Sequence, residues 1–210
     1  MTAFDDRFRR HLRELFIWRR DVRRFRTDPL PEGALERLID VACLSPSVGL
    51  SQPWRFVIVE DTARRSAVIE DFKACNADAL SSYSGDRAVR YASLKLSGLM
   101  EAPVHLAVFA DKTSEIGHGL GRATMPETTE YSVVAAITAM WLAARTDGIG
   151  LGWVSILTPA RMHDILDVPA PWKFIGYFCL GYPLEDCDRP ELERADWEHR
   201  RAAAEFTIRR

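Results

Sequence analysis

The sequence predicts an α+β protein with a layered sheet in a single domain over residues 1–210. Three observations carry that expectation. Strand-length apolar runs and helical periodicities are mixed, without the regular alternation of a doubly wound sheet. No GxGxxG follows a strand candidate and no GxxxxGKS or GxxxxGKT occurs, so neither a Rossmann nor a P-loop nucleotide site is expected. The chain has 210 residues, 47% of them hydrophobic and 28% charged, within the globular range and enough for one core. A disordered chain, a collagen-like repeat and a coiled-coil rod are excluded.

Phe4, Phe8, Leu12, Leu15 and Phe16 recur at three- and four-residue steps and predict a helix over 4–20. Pro31 suits a helix first turn, and Leu35, Leu38, Ile39 and Ala42 give that helix one apolar face. Turn formers at 45–49 end it. Residues 54–60 read as a strand. Asp61 or Thr62 caps a helix running toward Leu80. A helix over 87–101 is stopped by Pro103, and 104–110 reads as a buried strand. Residues 111–128 form a glycine-containing loop read as a mobile lid, with the region 83–99 as an alternative lid. Residues 129–147 are apolar nearly all round and predict a central buried helix, ended at Gly148. Strands over 151–156 and 173–180 flank a helix starting at Pro159. The polar tail from Glu185 is expected to wrap a neighbour.

The longest nearly uncharged run, 131–144, is shorter than the roughly 20 residues that span a bilayer, and no apolar leader segment follows Met1. A cytoplasmic protein without membrane or export signals is expected. Cys43, Cys75, Cys179 and Cys187 show no metal or redox spacing and predict free thiols in a reducing compartment. The five histidines show no ligand spacing, so no metal site is expected. No nucleophile elbow appears, which disfavours hydrolase chemistry. Net charge is −2, yet nine arginines crowd between Arg7 and Arg26 against only two acids. Nucleic acid is disfavoured as the partner, because no recognised binding motif accompanies that charge.

Three segments carry chemistry. Arg19, Arg20, Arg23 and Arg24 surround Asp21, and guanidinium forks bind phosphate and carboxylate. Taken alone, the run also reads as a solvated charged turn. Pro46, Ser47, Val48, Gly49 and Gln52 form a small-residue loop before a strand, suited to cradling a polar ring or simply connecting two elements. Gly148, Gly150 and Gly152 precede Ser155, and such glycines let a flat ligand approach the backbone, or cap a helix before a core strand. The six tryptophans read more readily as core or interface than as cofactor platforms, and Trp54 and Trp153 are the two to watch.

In this order the three segments resemble the flavin-binding nitroreductase-like superfamily, and most closely its 5,6-dimethylbenzimidazole synthase branch. The resemblance rests on residues 19–23, on 46–49 with Gln52, Pro53 and Trp54, and on 93–96, 120–122, 131–132, 141–145 and 150–156. Asp21 with Ser155 is the branch-specific part. The resemblance implies a three-layer fold with a mixed sheet flanked by helices, an intertwined homodimer, and about 185–210 wrapping the partner subunit. It implies that Arg19, Arg20 and Arg23 contact the FMN phosphate and pyrimidine edge, that Arg200 stands where a C-terminal phosphate-binding residue is common, that Asp21 lies near the ribityl chain, and that Val22 also binds the cofactor. It further implies that Ser47 and Val48 come from the second subunit, that residues 153–156, with Trp153, Val154 and Ser155, pass beside N5 of the ring, and that Pro46, Gln52 and Leu96 also bind the cofactor. The implied reaction consumes reduced FMN with O2, gives 5,6-dimethylbenzimidazole for vitamin B12 and releases erythrose 4-phosphate. A separate flavin reductase using NAD(P)H is the expected source of reduced flavin. On this reading Asp21 is base or proton relay and Ser155 steers the oxygen chemistry. The alternative is an FMN-dependent NAD(P)H nitro or quinone reductase of the same fold.

Overall fold

A computed structural model describes residues 3–210, so residues 1 and 2 of the predicted domain lie outside it. In chain order the elements are α1 (Asp6–Trp18), α2 (Ala34–Cys43), a 3-10 turn (Val48–Leu50), β1 (Trp54–Ile58), α3 (Thr62–Ser81) and α4 (Gly85–Ser93). They continue with β2 (Val104–Asp111), α5 (Thr128–Thr146), β3 (Gly150–Val154), α6 (Pro159–Leu166), β4 (Trp172–Gly181), α7 (Glu191–Arg194) and a 3-10 turn (Ala203–Phe206).

The sheet runs β1-β2-β4-β3 with every neighbouring pair antiparallel. The mixed sheet is therefore corrected to an antiparallel one. The only parallel pairing among the described residues is an isolated bridge from Asp21 to Leu151. Antiparallel order needs no helical crossover between neighbouring strands, which explains the irregular succession of helices and strands in the sequence.

Both faces of the sheet are covered. Leu106, Val108 and Ala110 of β2 join Phe178, Leu180 and Leu151 against α2 and α5. Ala107 and Phe109 alternate with them and join Tyr177, Val68 and Met162 beneath α3 and α6. This is why β2 reads as an unbroken apolar run. Each large apolar side chain α5 inserts here, such as Ile137 or Met140, contributes about 1.5–3 kcal/mol.

Several boundaries differ from expectation. α2 starts at Ala34, after Gly33 at φ 73°, and Pro31 instead supplies the carbonyl that accepts from Ala34 N. α4 stops at Ser93 rather than 101. Beyond it Gly98 lies under the Phe25 ring, where a Cβ would come within 2.3 Å, so tertiary packing overrides a helical pattern. Asp61, not Thr62, caps α3 by accepting from Arg64 N. The glycine loop expected to be a mobile lid is mostly exposed and touches the 3-10 turn, where a Cβ on Gly117 would meet the Gly49 carbonyl at 2.4 Å. Residues 185–200 dock on their own chain, while 201–210 are exposed throughout. No helix among the described residues is long and apolar enough to cross a membrane.

Candidate functional site

β3 is a sheet edge, so one side of its backbone has no strand partner. Residues 21–25 fill that place. Val22 N donates to the Leu151 carbonyl at 3.1 Å, and Trp153 N donates to Asp21 Oδ1 at 2.9 Å. A Cβ at Gly152 would come within 2.1 Å of the Val22 carbonyl, and one at Gly150 within 2.8 Å of the Val22 side chain. The glycines expected to admit a flat ligand therefore admit this segment instead. The second oxygen of Asp21 accepts from Arg23 Nε at 2.9 Å, and Arg23 Nη1 donates to the Lys95 carbonyl at 3.1 Å. That contact ties the 94–99 loop, with Leu96, to the same place. Val154 is buried, and Ser155 emerges exposed one residue past the end of β3.

Beside this clamp, Arg19, Arg20, Asp21, Arg23 and Arg200 line a cavity of about 220 Å³ together with Pro190, Glu191 and Leu192. Arg19 lies over the Trp141 indole, 4.7 Å from its centroid. Trp141 Nε1 donates to the Arg20 carbonyl at 3.1 Å, fixing the backbone under both guanidiniums. Burial first, and the neighbouring Arg200 charge second, lower the pKa of Arg19, with Asp21 opposing. Arg20 is lowered by burial, then by Arg19 and Arg200. Its Nε is buried without a partner. Crowded cations with an unmatched buried donor suit a bound oxyanion, which would supply both charge and acceptor. The phosphate of FMN fits this donor set.

Arg200 arrives on the tail. Trp197 packs edge-on against Tyr83 at 5.6 Å and near Tyr91 at 6.1 Å, with Arg87 5.7 Å from its centroid. Arg90 Nη1 donates to the Asp196 carbonyl at 2.7 Å and its carboxylate at 2.9 Å. α4, part of the alternative lid region, is thus the dock that holds the tail.

Pro46, Ser47, Val48 and Gln52 are not part of this cluster. Val48 N donates to Ser132 Oγ at 3.0 Å in the first turns of α5, and Gln52 N donates to Ser47 Oγ at 3.1 Å. Ser132 and Trp141 lie nine residues apart on one helix, about 14 Å along its axis. Leu50 and Gln52 hold positive φ values of 55° and 45°, strained for side chains of their kind, and Leu50 is 70% exposed.

Neither watched tryptophan is placed to stack on a ligand. Trp54 is buried in the core beneath α2 and α5. The Trp153 ring packs against Phe178 at 4.9 Å and over Gly176, so it is the backbone of Trp153 that faces Asp21. Sequence reasoning missed Trp141 and Trp197 as supports. The one tryptophan in a mostly polar tail was the available sign of an anchor at Trp197.

The nitroreductase family model matches residues 17–182. A 5,6-dimethylbenzimidazole synthase of Rhodospirillum rubrum is 56% identical over 198 residues, covering 94% of each chain. A BluB-like flavoprotein structure from Clostridium difficile 630 superposes with TM-score 0.69 at 19% identity, covering 94% of this chain and 97% of that one. Oxidized iodotyrosine deiodinase bound to FMN and 3-iodo-L-tyrosine superposes with TM-score 0.68 at 24% identity, covering 84% and 91%. With its arginine cavity, its Asp21 clamp and these relatives, the chain belongs to the nitroreductase family and, within it, to the group of the 5,6-dimethylbenzimidazole synthases.

Proposed function

We propose that this chain catalyses the O2-dependent fragmentation of reduced FMN to 5,6-dimethylbenzimidazole, the lower ligand of vitamin B12, with release of erythrose 4-phosphate. The observation that carries this reading is the junction of two parts. A cavity lined by Arg19, Arg20, Arg23 and Arg200 adjoins an aspartate fastened to the strand that presents Ser155. Bound reduced FMN supplies the electrons that activate O2 and the carbon skeleton that becomes product.

Arg19, Arg20 and Arg200 hold the phosphate, and the unmatched Arg20 Nε donates to it. Val22 and Leu96 flank the site, and the 150–154 strand supports the ring. Ser155 offers a hydroxyl as donor and acceptor beside the reacting edge. Asp21 fixes the strand through Trp153 N and moves protons while carbon bonds break. A closed pocket keeps water from diverting the oxygen chemistry.

A second copy of this chain supplies Pro46, Ser47, Val48 and Gln52 as the opposite wall. Two features support it. Those residues lie at the far end of α5 from the arginines, and α1 presents Phe8, Leu12, Phe16 and Ile17 to solvent as an apolar stripe. The exposed residues 201–210, carrying Phe206 and Ile208, would then lie on that partner. All four cysteines are free, which suits the reducing cytoplasm in which we place the enzyme. Reduced flavin would come from a separate NAD(P)H-dependent reductase.

The test is anaerobic loading with FMNH2, admission of air, and chromatography. Appearance of 5,6-dimethylbenzimidazole with matching loss of flavin supports the reading. Recovery of intact FMN, with rapid NADH-driven reduction of a nitroaromatic, overturns it in favour of an ordinary reductase.

A further inference from the structure

Ser155 opens the connection from β3 to α6, residues 155–158. One flank of this connection is held by Asp21 through Trp153 N, as described. The other flank ends at Thr158, the N-cap of α6, whose own side chain makes no capping hydrogen bond. Its backbone N–H is instead taken from outside. Thr158 N donates to Oδ2 of Asp71, on α3, at 2.7 Å.

Asp71 is 1% exposed, and with Val68 it is one of the two buried residues of α3. A buried carboxylate is costly unless its oxygens are matched, and both of these are. Oδ1 faces Arg161 Nη1 at 3.2 Å, and Oδ2 receives Thr158 N. Cys75, one turn further along α3, places Sγ 3.3 Å from Thr158 Oγ1 and 4.0 Å from Asp71 Oδ2. The carboxylate adds one thing an apolar residue lacks: a fixed acceptor for the backbone three residues beyond Ser155.

We propose that Asp71 is a positioning residue for Ser155: two carboxylates from distant parts of the chain, Asp21 and Asp71, pin the amides of Trp153 and Thr158 and so set the path of the serine between them. Asp71 touches neither ligand nor reacting atoms and acts only through the Thr158 backbone. The inference rests on reading Ser155 as a site residue, and its test has a readout independent of turnover.

Asp71→Asn keeps the side-chain shape and one acceptor oxygen, whereas Asp71→Ala removes both. Hydrogen exchange is measured on the FMN-loaded protein. In Asp71→Ala the peptide covering 153–160 should exchange at least about tenfold faster, with β2 and β4 unchanged and Asp71→Asn intermediate. FMN affinity should stay within about threefold, while benzimidazole yield falls at least about tenfold. Asp71→Asn placed on Ser155→Gly should cost nothing beyond Ser155→Gly alone, because both remove the same placement. Unchanged exchange at 153–160 in both variants overturns the proposal. So does a rise spread equally over β2 and β4, or a fully additive double variant. Should the wild-type protein make no benzimidazole, the functional reading fails, and the exchange pattern still decides the role of Asp71.

Discussion

The two ends of α5 carry two unlike half-sites. At its C-terminal end, Trp141 supports Arg19 and Arg20, and four guanidiniums with two carboxylates, Asp21 and Glu191, surround a cavity. At its N-terminal end, Ser132 holds a short loop whose backbone sits in strained conformations at Leu50 and Gln52, two exposed residues. The first half-site is built from charge and is completed by the same chain, since Trp197 brings Arg200 home. The second is a loop whose donors Val48 N, Leu50 N, Ser51 N and Gln52 N are taken up within the chain, and it presents the exposed side chains of Leu50 and Gln52. One helix, about 14 Å between the two anchor points, keeps them apart. On the proposed reading these are the two halves of one flavin site, which two-fold pairing of subunits would join.

That contrast can be broken outright by mixing. A chain carrying Arg19→Ala and Arg20→Ala, and a second carrying Gly49→Val, should each be inactive alone. Gly49 is a sound choice because its φ is 56° and a Cβ would meet the Leu120 carbonyl at 2.9 Å. Refolded together, they should regain activity in roughly a quarter of the sites, as expected for random two-fold pairs. Absence of any recovery, with mixed dimers demonstrated by mass spectrometry, would mean that one chain makes a whole site.

Within the charged half, Asp21→Asn and Ser155→Gly should each lower benzimidazole formation by about 10²- to 10⁴-fold while FMNH2 still binds. Single-turnover chromatography after aeration measures this, and wild-type rates in both variants would remove these residues from the chemistry.

The sheet beneath both halves offers a control. His105, whose Nδ1 lies 3.0 Å from the Tyr177 hydroxyl, has its pKa depressed from 6.5 to about 4, by burial first and by the Arg65 charge second. The unfolded chain binds a proton that the folded one refuses. Stability should therefore be level above about pH 6.5 and fall by about 3 kcal/mol as pH drops toward 4. Urea unfolding of wild type and His105→Gln across that range checks it, and equal slopes would acquit His105. The loss should affect both half-sites alike, unlike the variants that single out one.

Smaller effects sharpen the comparison. Trp197→Ala should free the tail and weaken FMN binding by about tenfold, and adding Arg200→Ala should cost little more. Flavin fluorescence titration reads both, and full additivity would show that Trp197 acts elsewhere. At the opposite end, Ser132→Ala leaves Val48 N without its acceptor and should cost about 1–2 kcal/mol in denaturant unfolding, with the arginine cavity untouched.

Local chemistry was legible wherever it depended on neighbours in sequence. The amphipathic α1, the apolar run of β2, the Pro159 start of α6 and the crowding of Arg19, Arg20 and Arg23 around Asp21 all follow from spacing alone. The resemblance added the order of the three motifs and the pairing of Asp21 with Ser155. Misreadings fell where a distant segment intervened. Gly150 and Gly152 looked like room for a ligand and are room for Val22. Residues 94–101 looked helical, but Gly98 is claimed by Phe25. Trp153, watched as a stacking face, is a core side chain whose amide matters.

The sequence by itself determined the layered α+β class, the apolar faces of its helices and strands, and which residue types could grip a phosphate. Tertiary structure alone decided that the sheet is antiparallel, that Asp21 and Asp71 hold the two flanks of Ser155, and that Trp197 returns Arg200 to the amino-terminal arginines. The physical reason is range. Periodicity and capping act over a few residues, whereas Asp71 and Asp21 find their partners only after the chain has folded back across 87 and 132 positions, a distance no local pattern encodes.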